Sequence, residues 1–208
     1  MALSDFVGLS QAVRDWLHRS DLTDSQITDF INLGEQRLNR LLRLPDMLAA
    51  TTLAIGVDGR VDLPSDFLDV YLIQLVNKSD GAIAFTLEEL PVDEYEERKD
   101  WHQDPTWFTR IGSRVYIAPI PDATLYDCRL TYYARPGYLS STNTTNLWTQ
   151  IAFDALLYAS LSAARGFVMD DQRSAEWEQR FQMALRELQL QRYDQGAAFD
   201  KIDLGGLP

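Results

Sequence analysis

Four carboxylates crowd one short stretch of this 208-residue chain: Asp93, Glu94, Glu96 and Glu97. Carboxyl groups facing each other across a cleft can do acid–base work, and oxygen clusters can hold a divalent cation. Set this closely on one short helix, however, they repel one another and turn to water, so a solvated face is the expected reading. His18 and His102 are the only histidines, and neither has a Cys, His or spaced carboxylate beside it in a zinc-ligand pattern. Cys128, the only cysteine, lies in a strand-like run with no histidine near it in sequence, and reads as a small core side chain, not a nucleophile. Ser113 stands in Ile-Gly-Ser-Arg, which lacks the second glycine of a nucleophile elbow, and the chain has no glycine-rich phosphate loop. The expectation is a protein with no catalytic residue, no metal site and no cofactor. The chemical alternative is a carboxylate-based glycosidase acting on cell-wall polymer, for which 31 acidic residues supply material but no identifiable pair.

Two other groups of residues suit binding better than chemistry. Arg37, Arg40 and Arg43 recur every three residues on one helical segment and form a possible basic contact stripe, although a solvated helix face that offsets the C-terminal dipole has the same pattern. Trp101 and Trp107, close to Asp104-Pro105, are possible interface aromatics, since Trp is enriched at binding hot spots. The other reading of tryptophan is core packing, which most of the five must serve.

These residues need a folded frame, and the composition provides for one: 46% hydrophobic residues can bury a substantial core. A formal net charge of −12 argues against a nucleic-acid module held by phosphate neutralisation. With one cysteine no internal disulfide forms, and the start Met-Ala-Leu-Ser-Asp has no signal-peptide pattern, which fits folding in a reducing cytoplasm. The longest apolar run, around 151–168, is broken by Asp154, Ser160, Ser162 and Arg165 and falls short of a membrane span.

Periodicity places the elements. Phe6, Leu9, Val13, Trp16 and Leu17 make one helical stripe, predicting a first helix over 4–19. Thr23-Asp-Ser-Gln26 has capping-box spacing, and Ile27, Phe30, Ile31, Leu38, Leu41 and Leu42 follow on one face until Pro45. From there the texture becomes alternating and turn-rich, predicting about seven antiparallel strands. Hairpins are expected at Val57-Asp-Gly59, at 77–81 and at Gly112-Ser113, the last strand ends before Pro136-Gly137, and a short helix falls near 92–99. Beyond the Ser/Thr/Asn-rich stretch 140–146, a nearly all-apolar helix over 151–168 is joined across Asp170-Asp171 to an amphipathic one that runs to Arg192. On that second helix Trp177, Phe181, Leu185 and Leu188 recur at spacings of four and three. The fold class is α+β: a helical bundle built from 1–45 and 145–195, with a central antiparallel β part over 46–140. Residues 196–208 space Phe199, Ile202, Leu204 and Leu207 among Gly, Asp and Lys, too short and Gly-rich for an independent element and too apolar for a solvated tail. They are expected to dock on a partner.

The chain resembles the head-to-tail adaptor (connector) proteins of tailed bacteriophages, in particular the tail-tubular-protein-A type of short-tailed phages. The resemblance covers roughly residues 3–195. It rests on Leu63-Pro-Ser-Asp-Phe67, on Ile111-Gly-Ser-Arg-Val-Tyr-Ile-Ala-Pro119 leading to Leu130-Thr-Tyr-Tyr133, and on Ala155-Leu-Leu-Tyr-Ala159 followed by Asp170-Asp171 and Trp177. Ala152 departs from the pattern, because relatives often carry proline at the start of that helix. The resemblance implies a virion protein at the head–tail junction, made in the host cytoplasm and assembled as a dodecameric homo-oligomeric ring between the portal protein and a tail or nozzle protein. DNA would pass through its channel without sequence-specific binding, and no membrane is involved. A soluble peptide-binding module is the remaining alternative.

Overall fold

The computed structural model describes residues 4–19, 21–164 and 173–202; of 173–174 and 191–202 only the backbone course is described. The chain divides into two compact units, Met1–Met47 with Pro136–Pro208, and Leu48–Arg135. Its class is mixed α+β, with a curled seven-stranded sheet and six α-helices among the described residues.

In the first unit, α1 (Phe6–Leu17) starts where the Asp5 carboxylate accepts the Gly8 N–H at 2.7 Å, and ends at His18 in the left-handed region with φ 52°. Helix α2 (Asp24–Leu41) opens on the capping box: Gln26 N–H donates to Thr23 Oγ1, and Thr23 N–H donates to Gln26 Oε1 at 2.9 Å. It buries Ile27, Phe30, Ile31 and Leu38, but Leu41 is 46% exposed while Glu35 and Asn39 are buried. The apolar run after 146 is not one helix. A short α4 (Leu147–Ile151) is capped by Asn146, and Ala152 breaks the path with ψ 41° before α5 (Phe153–Ala163) begins. The Ala152 N–H bonds to the Trp148 carbonyl at 3.0 Å to close α4, a bond that proline could not donate.

Helix α5 packs against α1, α2 and α6 (Arg173–Ile202). Its contact with α2 is close because residue 34 is glycine: a Cβ there would lie 2.8 Å from Ser160 Oγ and 3.1 Å from its backbone nitrogen. Helix α6 buries Trp177, Phe181, Leu185 and Leu188, the stripe its periodicity marks. Asp170 and Asp171 lie outside the described residues. The backbone of α6 does not stop near Arg192 but stays helical to Ile202, so Gly196–Ile202 extend it instead of forming a separate segment.

The second unit contains β1 (Leu48–Leu53), β2 (Arg60–Asp62), β3 (Phe67–Asn77), β4 (Ile83–Glu89), α3 (Val92–Arg98), β5 (Trp107–Ile111), β6 (Arg114–Ala118) and β7 (Tyr126–Ala134), with sheet order β1-β7-β3-β4-β5-β6-β2. Two expected hairpins form, β3–β4 and β5–β6, the latter turning at Gly112 with φ 63°. The third does not. Gly56 and Gly59 do close a turn, through Gly56 N–H to the Arg60 carbonyl and Gly59 N–H to the Gly56 carbonyl, but the flanking strands part: β1 pairs with β7, and β2 with β6. The sheet is also not wholly antiparallel, because α3 and its flanks carry the chain from β4 to a parallel β5. Ile73, Leu75, Val115, Ile117, Cys128 and Leu130 form the centre of its core.

Candidate functional site

Among the described residues Glu35, which the sequence does not single out, is a carboxyl group whose acidity burial weakens. It is 1% exposed on α2, and burial pushes its carboxyl up to about 7, against the lowering effect of two donors. The Leu139 N–H reaches its oxygens at 3.2 and 3.3 Å, and the Asn146 side-chain amide donates to Oε1 at 2.5 Å. The same amide nitrogen donates to the Gly137 carbonyl at 2.9 Å, while Asn146 Oδ1 accepts the Thr149 N–H that caps α4. One buried carboxylate thus ties α2 to the segment that leads into the later helices. A raised pKa is what a general acid needs, but Glu35 is closed off from any substrate, and no carboxylate neighbour contributes to its shift. Its place was readable in part, since it follows Ile31 by four residues and precedes Leu38 by three, on the apolar face. One turn further on, Asn39 Oδ1 accepts from the Trp148 indole at 3.1 Å.

The basic stripe is not one surface. Arg37 is pinned by α6: its guanidinium donates to both Glu178 oxygens at 2.7 and 2.6 Å and lies 4.2 Å from the centre of the Phe181 ring. Glu178 also accepts from Ser162 and Gln182, and these donors, Arg37 foremost, hold its carboxyl down at about 2. Arg40 and Arg43 are exposed, and Arg43 donates to the Asn39 and Leu42 carbonyls at the end of α2.

Trp101 and Trp107 do come together, edge to face with ring centres 6.1 Å apart. Trp101 is 48% exposed and Trp107 half-buried. The Arg98 guanidinium lies 4.8 Å from the Trp107 ring and 5.6 Å from that of Trp101, and is itself held by Glu94 at 2.6 Å. Asp93, Glu96 and Glu97 of the same helix are exposed, as is His102. Cys128 is buried, and its thiol is pushed up to about 12 by desolvation. Among the described residues no group of three or more His, Cys, Asp and Glu could hold a metal ion, and no helix is long and apolar enough to cross a membrane. Phe199 and Ile202 lie on the last turns of α6, with their side chains outside the described set; Leu204 and Leu207 lie outside the described residues altogether.

The Leu63-Pro-Ser-Asp-Phe67 and Leu130-Thr-Tyr-Tyr133 motifs converge as architecture. Asp66 accepts the Tyr132 hydroxyl at 3.1 Å, its carbonyl accepts the Arg135 N–H at 2.6 Å, and Phe67 stacks on Tyr132 at 5.8 Å. The open clefts of the helical unit are mixed in lining: one of about 370 Å³ lies beside Trp16, His18, Trp177 and Arg180, another of about 490 Å³ beside Phe6, Arg14, Asp24 and Ser140. Asp24, the carboxylate lining the second cleft, is paired with Arg14. The family of SU10 adaptor proteins matches residues 4–200, nearly the whole chain, and the chain belongs to that family: it is a phage adaptor protein. No curated protein matches the chain.

Proposed function

We propose that this adaptor joins head to tail in the virion, as a closed ring beneath the portal through which DNA passes. The single observation that carries this reading is the family match over residues 4–200. On the pattern of the tail-tubular-protein-A type that its motifs resemble, the ring is a dodecamer between the portal and a tail or nozzle protein. Residues 1–45 and 145–195 act as its helical bundle and 46–140 as its β part, and Phe199, Ile202, Leu204 and Leu207 of the C-terminal tail dock on the portal or a neighbouring copy.

The charge suits a conduit. A ring of subunits each at −12 gives DNA phosphates no counterions to release by binding, so the genome meets little adhesion on its way. The chain does no chemistry of its own in this scheme. The test is to mix the purified chain with portal at physiological salt and determine mass and symmetry by native mass spectrometry and electron microscopy. A cyclic adaptor ring on the portal is expected; a symmetric dimer, or no complex, would remove the reading.

A further inference from the structure

Half of the chain's net charge sits in one short segment. Between Glu88 and Asp104 eight carboxylates stand against two cations, in a chain whose total is −12. Both cations are engaged locally, Arg98 by Glu94 at 2.6 Å and Lys99 by Glu96 at 2.7 Å, while Asp93, Glu97, Asp100 and Asp104 are exposed. Exposed apolar side chains share this acidic segment: Trp101 lies within it, and Ile120, 39% exposed, is joined to it through its N–H on the Lys99 carbonyl at 3.1 Å, so that the two mark an acidic-flanked corner. The turn carrying Val57, 94% exposed, adjoins in turn, since a Cβ on Gly59 would lie 3.5 Å from Ile120 Cγ1.

The other unit carries an exposed cation beside exposed apolar side chains. At the C-terminal end of α2, Arg40 is exposed beside Leu41, which is 46% exposed, and Leu33, two turns back, is 48% exposed. Between these leucines Arg37 is bound to Glu178, and Arg43 donates to the helix-end carbonyls.

We propose that neighbouring copies join through this pair of surfaces, the Arg40–Leu41 ridge of one copy seating on the acidic-flanked Trp101–Ile120 corner of the next. The inference rests on the ring reading and names its subunit contact. Charge complementarity selects a second copy as the occupant: chains of net charge −12 repel one another except where unlike surfaces meet. Two acidic corners cannot face each other, so a symmetric dimer through the corner is disfavoured. Joining two different surfaces is heterologous, and a heterologous contact propagates until it closes. One exposed tryptophan and two leucines make a small interface, so free chains associate weakly and closure on a template supplies the avidity.

Crosslinking tests this on the full chain, with Cys128 silent because it is buried. Leu41→Cys and Ile120→Cys chains are mixed under mild oxidation, and the double variant is oxidised alone, both with and without portal. A mixed dimer is expected from the first sample and a ladder of multimers from the second. In parallel, Arg40→Glu, or Glu97→Lys with Asp100→Lys, is expected to weaken self-association about ten-fold or more, and the combination to restore it. Circular dichroism confirms that each variant folds. Rings that form on the portal while positions 41 and 120 stay unlinked and the charge reversal gives no rescue would overturn this contact and leave the ring reading intact. Disulfide dimers from Leu41→Cys alone, or loss of portal binding by Arg40→Glu with self-association unchanged, would overturn it as well. Wild-type chains that never associate, even with portal, would remove both readings.

Discussion

Glu35 stands on α2 between Ile31 and Leu38, where the helix turns its apolar side inward, and its acidity is set by that position. Desolvation raises its folded-state pKa from 4.5 to about 7, so between those values the folded chain holds a proton that the unfolded chain has released. Its favourable contribution is complete below about pH 4.5 and is lost as pH rises through about 7. Raising the pH from 5 to 8 is therefore expected to cost on the order of 2–3 kcal/mol through this group. Glu35→Gln keeps an acceptor for Leu139 and Asn146 and carries no charge, so urea unfolding of the variant at pH 5, 6.5 and 8 should show a flatter profile and a gain at pH 8. An unchanged slope would mean that another group titrates. Glu178 works in the opposite direction: Arg37 lowers its pKa to about 2, so its contribution is present above 4.5 and is lost as pH falls toward 2. Arg37→Met, which removes the guanidinium from both Glu178 and the Phe181 ring, is expected to remove that acid-side dependence and to lower stability by about 1–2 kcal/mol.

At the scale of elements, the fit of α2 on α5 depends on Gly34. Alanine there would gain helix propensity while pressing on Ser160, whose hydroxyl already donates to the Leu156 carbonyl at 2.7 Å. A β-branched side chain has no such compensation, and Gly34→Val is expected to destabilise by about 2–3 kcal/mol, lowering the thermal midpoint by several degrees. An unchanged midpoint would show that the two helices can separate freely. What the sequence displayed follows from the same locality of causes. The Thr23–Gln26 capping box, the turn at Gly112 and the stripe from Trp177 to Leu188 are interactions among near neighbours, and all are present. The pairing of β1 with β7 joins Leu53 to Cys128, and no local spacing encodes it; the glycines at 56 and 59 announced a turn but not which strands would meet. Arg37 read as part of an outward stripe because its partner, Glu178, is 141 residues away. The corner at Trp101 was legible as aromatic and acidic, but its union with Ile120 depends on a loop contact that only the fold creates.

For the whole molecule, the ring reading raises the question of how a subunit that folds in two units would grip the portal. The C-terminal segment is the candidate, and the course of α6 sharpens the arithmetic. Burying Phe199, Ile202, Leu204 and Leu207 could contribute roughly 1.5–3 kcal/mol each. Ordering backbone costs about 1–2 kcal/mol per residue. Since the α6 backbone is already helical through Ile202, Phe199 and Ile202 bind at lower entropic cost than anchors on a free tail would. The net affinity of one tail is still modest, and repetition around a ring converts modest contacts into a durable joint. Deleting 197–208 is therefore expected to weaken portal binding strongly in the assembled ring, while the thermal midpoint of the free subunit moves by no more than a degree or two, because Trp177, Phe181, Leu185 and Leu188 all lie upstream of the cut. Portal binding measured by surface capture, alongside scanning calorimetry of the free chain, checks both halves. A complex that survives the deletion would move the grip elsewhere on the subunit, and a chain that no longer folds would make the end of α6 part of the core instead of a docking element.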